Sequence, residues 1–184
     1  MEDIAKDILV RASQGDMKAF EDVYKASSSF VYNVAFRVVN NREDALEVAQ
    51  EVFMIIYNKL KEFRFESSFK TWTYRITANT AINFAKKSSR TKTVPFEEDF
   101  GEGAVLNEAQ TRMDQEHQGK LVEKLLGELN PDQRVCVVLR DIQGLSYEEI
   151  AQSLNININT VRSRLKRSRE KLMSLKRLVD YEKV

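Results

Sequence analysis

The sequence predicts an all-α chain of two small helical domains joined by an acidic flexible linker, the second domain containing a helix-turn-helix. Three observations lead there. Between Asp16 and Val94 there is neither glycine nor proline, the residues that punctuate a chain most strongly, so this stretch is expected to be mostly helical. From Thr91 to Glu116 seven acids (Glu97, Glu98, Asp99, Glu102, Glu108, Asp114, Glu116) face two bases (Lys92, Arg112), and Pro95, Gly101 and Gly103 interrupt any periodicity; that composition suits a tether. Beyond it, helical patterns resume and end in a run crowded with cations.

Each element has its own local signal. Two amphipathic runs, about Asp3 to Ala12 and Met17 to Val38, come first. In "NREDALEVAQEVFMIIYNKL", Ala45, Val48, Ala49, Val52, Phe53, Ile56 and Leu60 recur at helical spacing, with Glu47, Gln50, Glu51 and Asn58 opposite and Asn41 able to cap the start. Leu46, Met54, Ile55 and Tyr57 lean outward and add apolar surface beyond one core stripe, which suits a partner interface. Phe69 to Lys87 is the fourth run, with Ser67 and Ser68 as candidate caps; its Phe69, Trp72 and Ile76 recur at i, i+3 and i+7 and read as core. After the tether, helices are expected at Gln118 to Leu129 and from Pro131 to about Asp141. Asn130, Pro131 and Gln133 fit N-cap, N1 and N3, and Gly144 follows the end.

The totals exclude several function classes. The chain of 184 residues carries a formal charge of +1 and 42% hydrophobic residues, so any positive surface must be local and either domain can bury a core. The Met-Glu-Asp start lacks the regions of a signal peptide, and the longest apolar run, Val52 to Tyr57, is far short of the roughly 20 residues that span a bilayer, which predicts a soluble, cytoplasmic chain without membrane insertion. Cys136 and His117 are each alone of their kind, and no glycine-rich phosphate loop occurs. No catalytic residue, metal or cofactor is therefore implied. Cys136, inside "VCVVL", reads as a small buried residue.

Ser146 and Glu149 form a capping box that starts a short helix, Tyr147 to Leu154, with Ile150, Ala151 and Leu154 inward; Asn155 to Asn157 breaks it, and Asn157 can cap the next. This is the layout of a helix-turn-helix. At about 100° per residue, Ile158, Val161, Leu165, Ser168, Leu172 and Leu175 of the second helix gather on one arc. Ser163 lies opposite, beside Thr160, Lys166 and Arg167, while Arg162, Arg164, Arg169 and Lys171 take the flanks. A solvated face normally mixes both signs, but only Glu170 interrupts this one. Outward hydroxyls and cations that reach base edges, with shoulder cations for phosphates, are what a groove-inserted helix needs.

These residues resemble the extracytoplasmic function (ECF) sigma factors of bacterial RNA polymerase, of the sigma-70 family. Residues 116–178 are similar to region 4, through "LNPDQRVCVVLRDIQGLSYEEIAQSLNININTVRSRLKRSREKL"; residues 1–90 are similar to region 2, through "EDALEVAQEVFMIIYNKL" and "FRFESSFKTWTYRITANTAIN"; residues 91–115 stand as the linker. The resemblance implies a dissociable subunit that binds core RNA polymerase and directs promoter-specific initiation in stress responses. It implies a polymerase interface at Glu47, Gln50 and Glu51, and capture of an unstacked minus 10 base near Phe63, Arg64, Ser67, Ser68 and Asn79, with Lys86 and Lys87 on nearby phosphates. It implies duplex minus 35 contacts from Thr160, Arg162, Ser163, Arg164, Lys166 and Arg167, and a cognate anti-sigma protein as a further partner. A single-stranded base stacks on aromatic rings and hydrogen-bonds through its exposed edges, which suits the residue types named for the minus 10 element. Two positions depart from the family's pattern: Phe65, where many relatives carry glycine, and Asn157-Ile158-Asn159, where Pro-x-Gly is common.

Two rivals from other classes remain at this point. A conventional helix-turn-helix regulator would use the first half to sense or dimerise and would bind paired half-sites without polymerase. A small helical enzyme would need groups that the sequence does not assemble.

Overall fold

The computed structural model describes residues 4–91, 119 and 121–181. The described chain is helical, with no strand: α1 (Lys6–Ser13), α2 (Met17–Val39), α3 (Arg42–Lys59), α4 (Phe69–Thr91), α5 (residues 121–127), α6 (Pro131–Val137), α7 (Tyr147–Leu154) and α8 (Ile158–Tyr181). The expected linker at 91–115 lies outside the described residues except for Thr91, where α4 ends. No helix among the described residues is long and apolar enough to cross a membrane.

Local chemistry sets the boundaries. Asp16 starts α2 by accepting from the Lys18 and Ala19 N–H groups at 3.0 and 3.1 Å, while Arg11 holds its second oxygen at 2.6 Å. The Ala19 amide, then the Arg11 guanidinium, keep the Asp16 carboxyl below its ordinary pKa. Asn40 ends α2 in the left-handed region at φ 58°, and Asn41 caps α3 through the Asp44 N–H at 3.0 Å. Of the two serines offered as caps for α4, Ser68 performs the task, accepting from Thr71 N–H at 3.1 Å. Asn130 caps α6 through Gln133 N–H at 2.9 Å, with Pro131 at the first turn.

One feature of the second half differs from expectation. The helix begun at Pro131 stays α-helical only to Val137 and widens into a π turn, Val138–Ile142. There Gln143 N–H reaches the Val138 carbonyl, and the chain turns out through Gly144 at φ 77°. Arg140 closes the turn by donating to the Leu145 carbonyl at 2.7 Å.

The N-terminal core is α2 packed on α3 and α4, with Val23, Val31, Val34 and Val38 against Val48, Val52 and Ile56, all fully buried. The C-terminal core is built from Val135, Leu139, Ile150, Val161 and Leu165. The halves do not stand apart. α2 and α4 pack on α6, α4 packs on α7, and the buried apolar residues of both halves form one continuous cluster. At the join lies Arg134, 8% exposed, whose guanidinium donates to the carbonyls of Val38, Gly127 and Leu129, each at 2.9 Å. Burial lowers its pKa, and the three carbonyls are the compensation that a buried guanidinium requires.

Candidate nucleic-acid interface

The helix-turn-helix forms as its caps specify. Ser146 Oγ accepts from Glu149 N–H at 3.1 Å and the Glu149 carboxylate accepts from Ser146 N–H at 2.7 Å, completing the capping box of α7. Asn155 ends α7 at φ 52°, a conformation that asparagine tolerates better than most side chains. Asn157 then caps α8 through Asn159 N–H at 2.8 Å, so the asparagines standing in place of Pro-x-Gly leave the helix start intact.

α8 has the two faces read from its sequence, with one revision. Val161 and Leu165 are fully inside, and buried Ser168 satisfies its hydroxyl on the Arg164 carbonyl at 2.7 Å. Arg162, Ser163, Lys166 and Arg167 are exposed and Thr160 is half-buried. The shoulder cations divide. Arg169 pairs with Asp141 at 2.8 Å and Lys171 donates to the Glu128 carbonyl, so both face the protein. Arg164, expected among the minus 35 contacts, pairs with Asp132 at 3.0 Å and is only 24% exposed. In this arrangement it lies against α6 and not along an open groove-facing strip, because the carboxylate at the start of α6 lies within its reach. Ser163 donates to the carbonyls of Asn159 and Thr160 at 2.8 and 3.1 Å, which leaves its oxygen free to accept. An amino group of adenine or cytosine fits that requirement in the major groove.

In the other half, a cavity of about 620 Å³ opens between α3 and α4, lined by Glu47, Glu51, Trp72, Arg75, Ile76, Asn79 and Lys87 among others. Two of the residues assigned to polymerase thus share a cavity with two assigned to the minus 10 strand. Trp72 and Ile76, read as core, are half-buried and line this cavity. Asn79 donates to the Arg75 carbonyl of its own helix and to the Ser153 carbonyl of α7, both at 2.8 Å. Both of its amide protons are therefore taken. Lys86 pairs with Asp132 at 2.9 Å.

The loop before α4 carries the remaining candidates. Arg64, Ser67 and Ser68 are exposed. Phe63, expected near the unstacked base, is 9% exposed and clustered with Phe65, Phe69 and Trp72 at ring separations of 4.8, 6.0 and 5.1 Å. Its ring supports the loop from beneath. The exposed aromatic of this loop is Phe65, 39% accessible at φ 57°, with the Lys6 ammonium 4.9 Å over its ring. The departure from glycine there was visible in the sequence; the partnership with Lys6, far away in the chain, was not.

The outer side of α3 has a second opening. Leu46 and Gln50 of α3, with Met54 and Tyr57, face Met17, Phe20, Tyr24 and Tyr32 of α2 across an apolar groove of about 760 Å³. Leu46, Met54 and Met17 are each more than 60% exposed. Gln50 lies in this groove, whereas Glu47 and Glu51 turn to the α3–α4 cavity.

Comparison with known proteins assigns the family. The profile described as Sigma-70 region 2 matches residues 23–91, and that described as Sigma-70, region 4 matches residues 120–172. The ECF RNA polymerase sigma-E factor of Escherichia coli (strain K12) is 35% identical over 178 residues, covering 92% of this chain and 93% of its own. The ECF RNA polymerase sigma factor SigE of Mycolicibacterium smegmatis is 31% identical over 162 residues; the match covers 86% of this chain and 62% of the length of that protein. Among solved structures, the sigma factor RpoE of Bartonella quintana, crystallised with the anti-sigma factor NepR, shares the fold with a TM-score of 0.65 at 23% identity, covering 87% of this chain and 98% of that one. With both regions matched in order and full-length relatives above 30% identity, the chain belongs to the ECF RNA polymerase sigma factor family, whose members direct the polymerase to promoters.

Proposed function

We propose that this chain acts in the cytoplasm as a non-enzymatic specificity subunit that binds core RNA polymerase and reads two promoter elements. Arg162, Ser163, Lys166 and Arg167 of α8, with Thr160, meet the minus 35 duplex, the serine accepting from a base edge and the cations reaching bases or phosphates. Arg164 joins them at a phosphate only when it leaves Asp132. Asn79, Arg64, Ser67 and Ser68 hold an unstacked minus 10 base over the aromatic cluster of Phe63, and Lys86 and Lys87 hold the adjoining phosphates. The groove containing Leu46, Gln50, Met54 and Tyr57 docks on polymerase, with Glu47 and Glu51 at its edge. A cognate anti-sigma protein is proposed as a competing partner for these surfaces.

The observation that carries this reading is the pairing, in one chain, of an outward cationic helix with an exposed apolar groove on the opposite half. A helix-turn-helix regulator that works alone would close this groove against a second copy of itself, so the occupant of the groove separates the two readings. Two linked modules, each weak alone, gain from effective concentration when polymerase carries both. Cosedimentation with sigma-free polymerase tests the reading. Association that weakens on Met54→Asp supports it; failure to associate, together with dimeric binding to bare promoter DNA, would favour the lone regulator.

A further inference from the structure

Phe65 holds a backbone conformation that suits it poorly. Its φ of 57° lies in the left-handed region, which among the described residues is otherwise taken by Gly15 and Gly144 and by Asn40 and Asn155 at helix ends. A bulky aromatic is unfavourable there, and such conformations persist where the surroundings enforce them and function uses them. The consequence is that the two aromatics of the loop part. Phe63 goes under α4 with Phe69 and Trp72, whereas Phe65, 4.8 Å from the Phe63 ring, remains 39% exposed. The other exposed large apolar residues described in the N-terminal half, Met17, Tyr24, Leu46, Met54 and Tyr57, line the α2–α3 groove. Phe65 lines neither that groove nor the α3–α4 cavity.

A cation lies over the ring. α1 packs on the single 3-10 turn Leu60–Glu62, which brings Lys6 to the loop with its ammonium 4.9 Å over Phe65. Lys6 is exposed and makes no ion pair among the described residues. A solvated cation–π contact of this kind is weak, so each partner is open to exchange. A single-stranded nucleotide offers both a better one, a flat base for the ring and a phosphate for the ammonium. From this geometry we propose that Phe65 and Lys6 form a second nucleotide seat on the minus 10 strand, beside the one that contains Asn79. An unstacked base replaces Lys6 over the Phe65 ring, and the ammonium moves to the phosphate of that nucleotide. The inference rests on the strand-binding reading above. Only a separated strand presents a base face to the ring, so the seat favours melted over duplex DNA. Stacking tolerates any base, so its contribution is to hold the strand open and not to read it. A glycine at this position can adopt the same φ but has no ring to offer.

Holoenzyme reconstituted from the full chain and core polymerase tests this on fork-junction DNA, in which a promoter selected by the holoenzyme is duplex at minus 35 and single-stranded at minus 10. Phe65→Gly keeps the backbone conformation and removes the ring. It should weaken fork binding on the order of tenfold and leave binding to the minus 35 duplex without the extension unchanged. Phe65→Trp should bind the fork at least as tightly as the parent. Lys6→Gln should flatten the salt dependence of fork binding by about 0.7 units of slope. A fluorescent purine analogue moved along the single strand should brighten in Phe65→Gly at one position, distinct from the position that responds to Asn79→Ala. Unchanged fork affinity in Phe65→Gly, an equal loss on the minus 35 duplex, or the same loss in Phe65→Trp would overturn the seat. A fork bound by the parent holoenzyme no better than the duplex, with Asn79→Ala also without effect, would instead overturn the strand-binding reading on which it depends.

Discussion

The side-chain amide of Asn79 donates to the backbone carbonyl of Ser153 at 2.8 Å, joining α4 to the first helix of the helix-turn-helix across 74 residues of sequence. Its other proton goes to the Arg75 carbonyl. For Asn79 to meet a base edge, as proposed, the bond to α7 must be exchanged for one to the base. Asn79→Ala is expected to spare binding to minus 35 duplex DNA and to impair open-complex formation, read by permanganate reactivity of the melted strand. Normal melting by this variant would remove Asn79 from the base pocket.

Arg167 is exposed on α8, two residues from Arg169 and three from Arg164, the shoulder cations that pair with carboxylates of the protein. Arg167→Ala should weaken minus 35 binding by about 1 to 3 kcal/mol if the guanidinium reads a base. If it meets a phosphate, the loss should be uniform across sequences, and the salt dependence should flatten by about one unit of slope. A titration at several salt concentrations on matched and mismatched sites separates the two.

Arg134→Ala should destabilise the chain by about 3 kcal/mol or more in urea unfolding, because the carbonyls of Val38, Gly127 and Leu129 lose their donors in a buried site. Arg134→Lys should recover only part of this, since an ammonium is a point charge and lacks the planar fork that reaches three separated carbonyls.

Stability should also fall on the alkaline side. Burial pushes the Cys136 thiol from its ordinary 9.0 up to about 11 and raises the Tyr74 phenol as well. The fold therefore retains protons that the unfolded chain releases. The thiol's contribution is fully present below pH about 9 and is lost as pH rises towards 11, so the urea midpoint should decrease across that window. Cys136→Ala should flatten the decrease; an unchanged slope would show that the thiol is not the group responsible.

The parts of the fold legible in the sequence are those decided within a few residues. The start and end of α7 follow from Ser146, Glu149 and Asn155, each of which acts on backbone groups of its own turn. The inward arc of α8 follows from the helical period, and Val161, Leu165 and Ser168 are buried as that period requires. The flanks were not legible. Arg162 and Arg164 are alike in a helical projection, and only the position of Asp132, on another helix, turns Arg164 towards the protein. Phe63 and Phe65 stand two residues apart in one loop, yet one is buried and the other open, because Phe69 and Trp72 of α4 close over the first. The π turn at Val138–Ile142 likewise has no signal in composition; its apolar residues suit an α-helix equally well.

The central claim is that the cationic face of α8 and the α3–α4 cavity serve one promoter when the chain rides on polymerase. Run-off transcription by reconstituted core enzyme on a randomised promoter library tests it most directly. With the chain present, transcripts should be enriched for a minus 35 and a minus 10 motif at fixed spacing, and Arg167→Ala should erode only the first. Equal transcript populations with and without the chain would contradict the account.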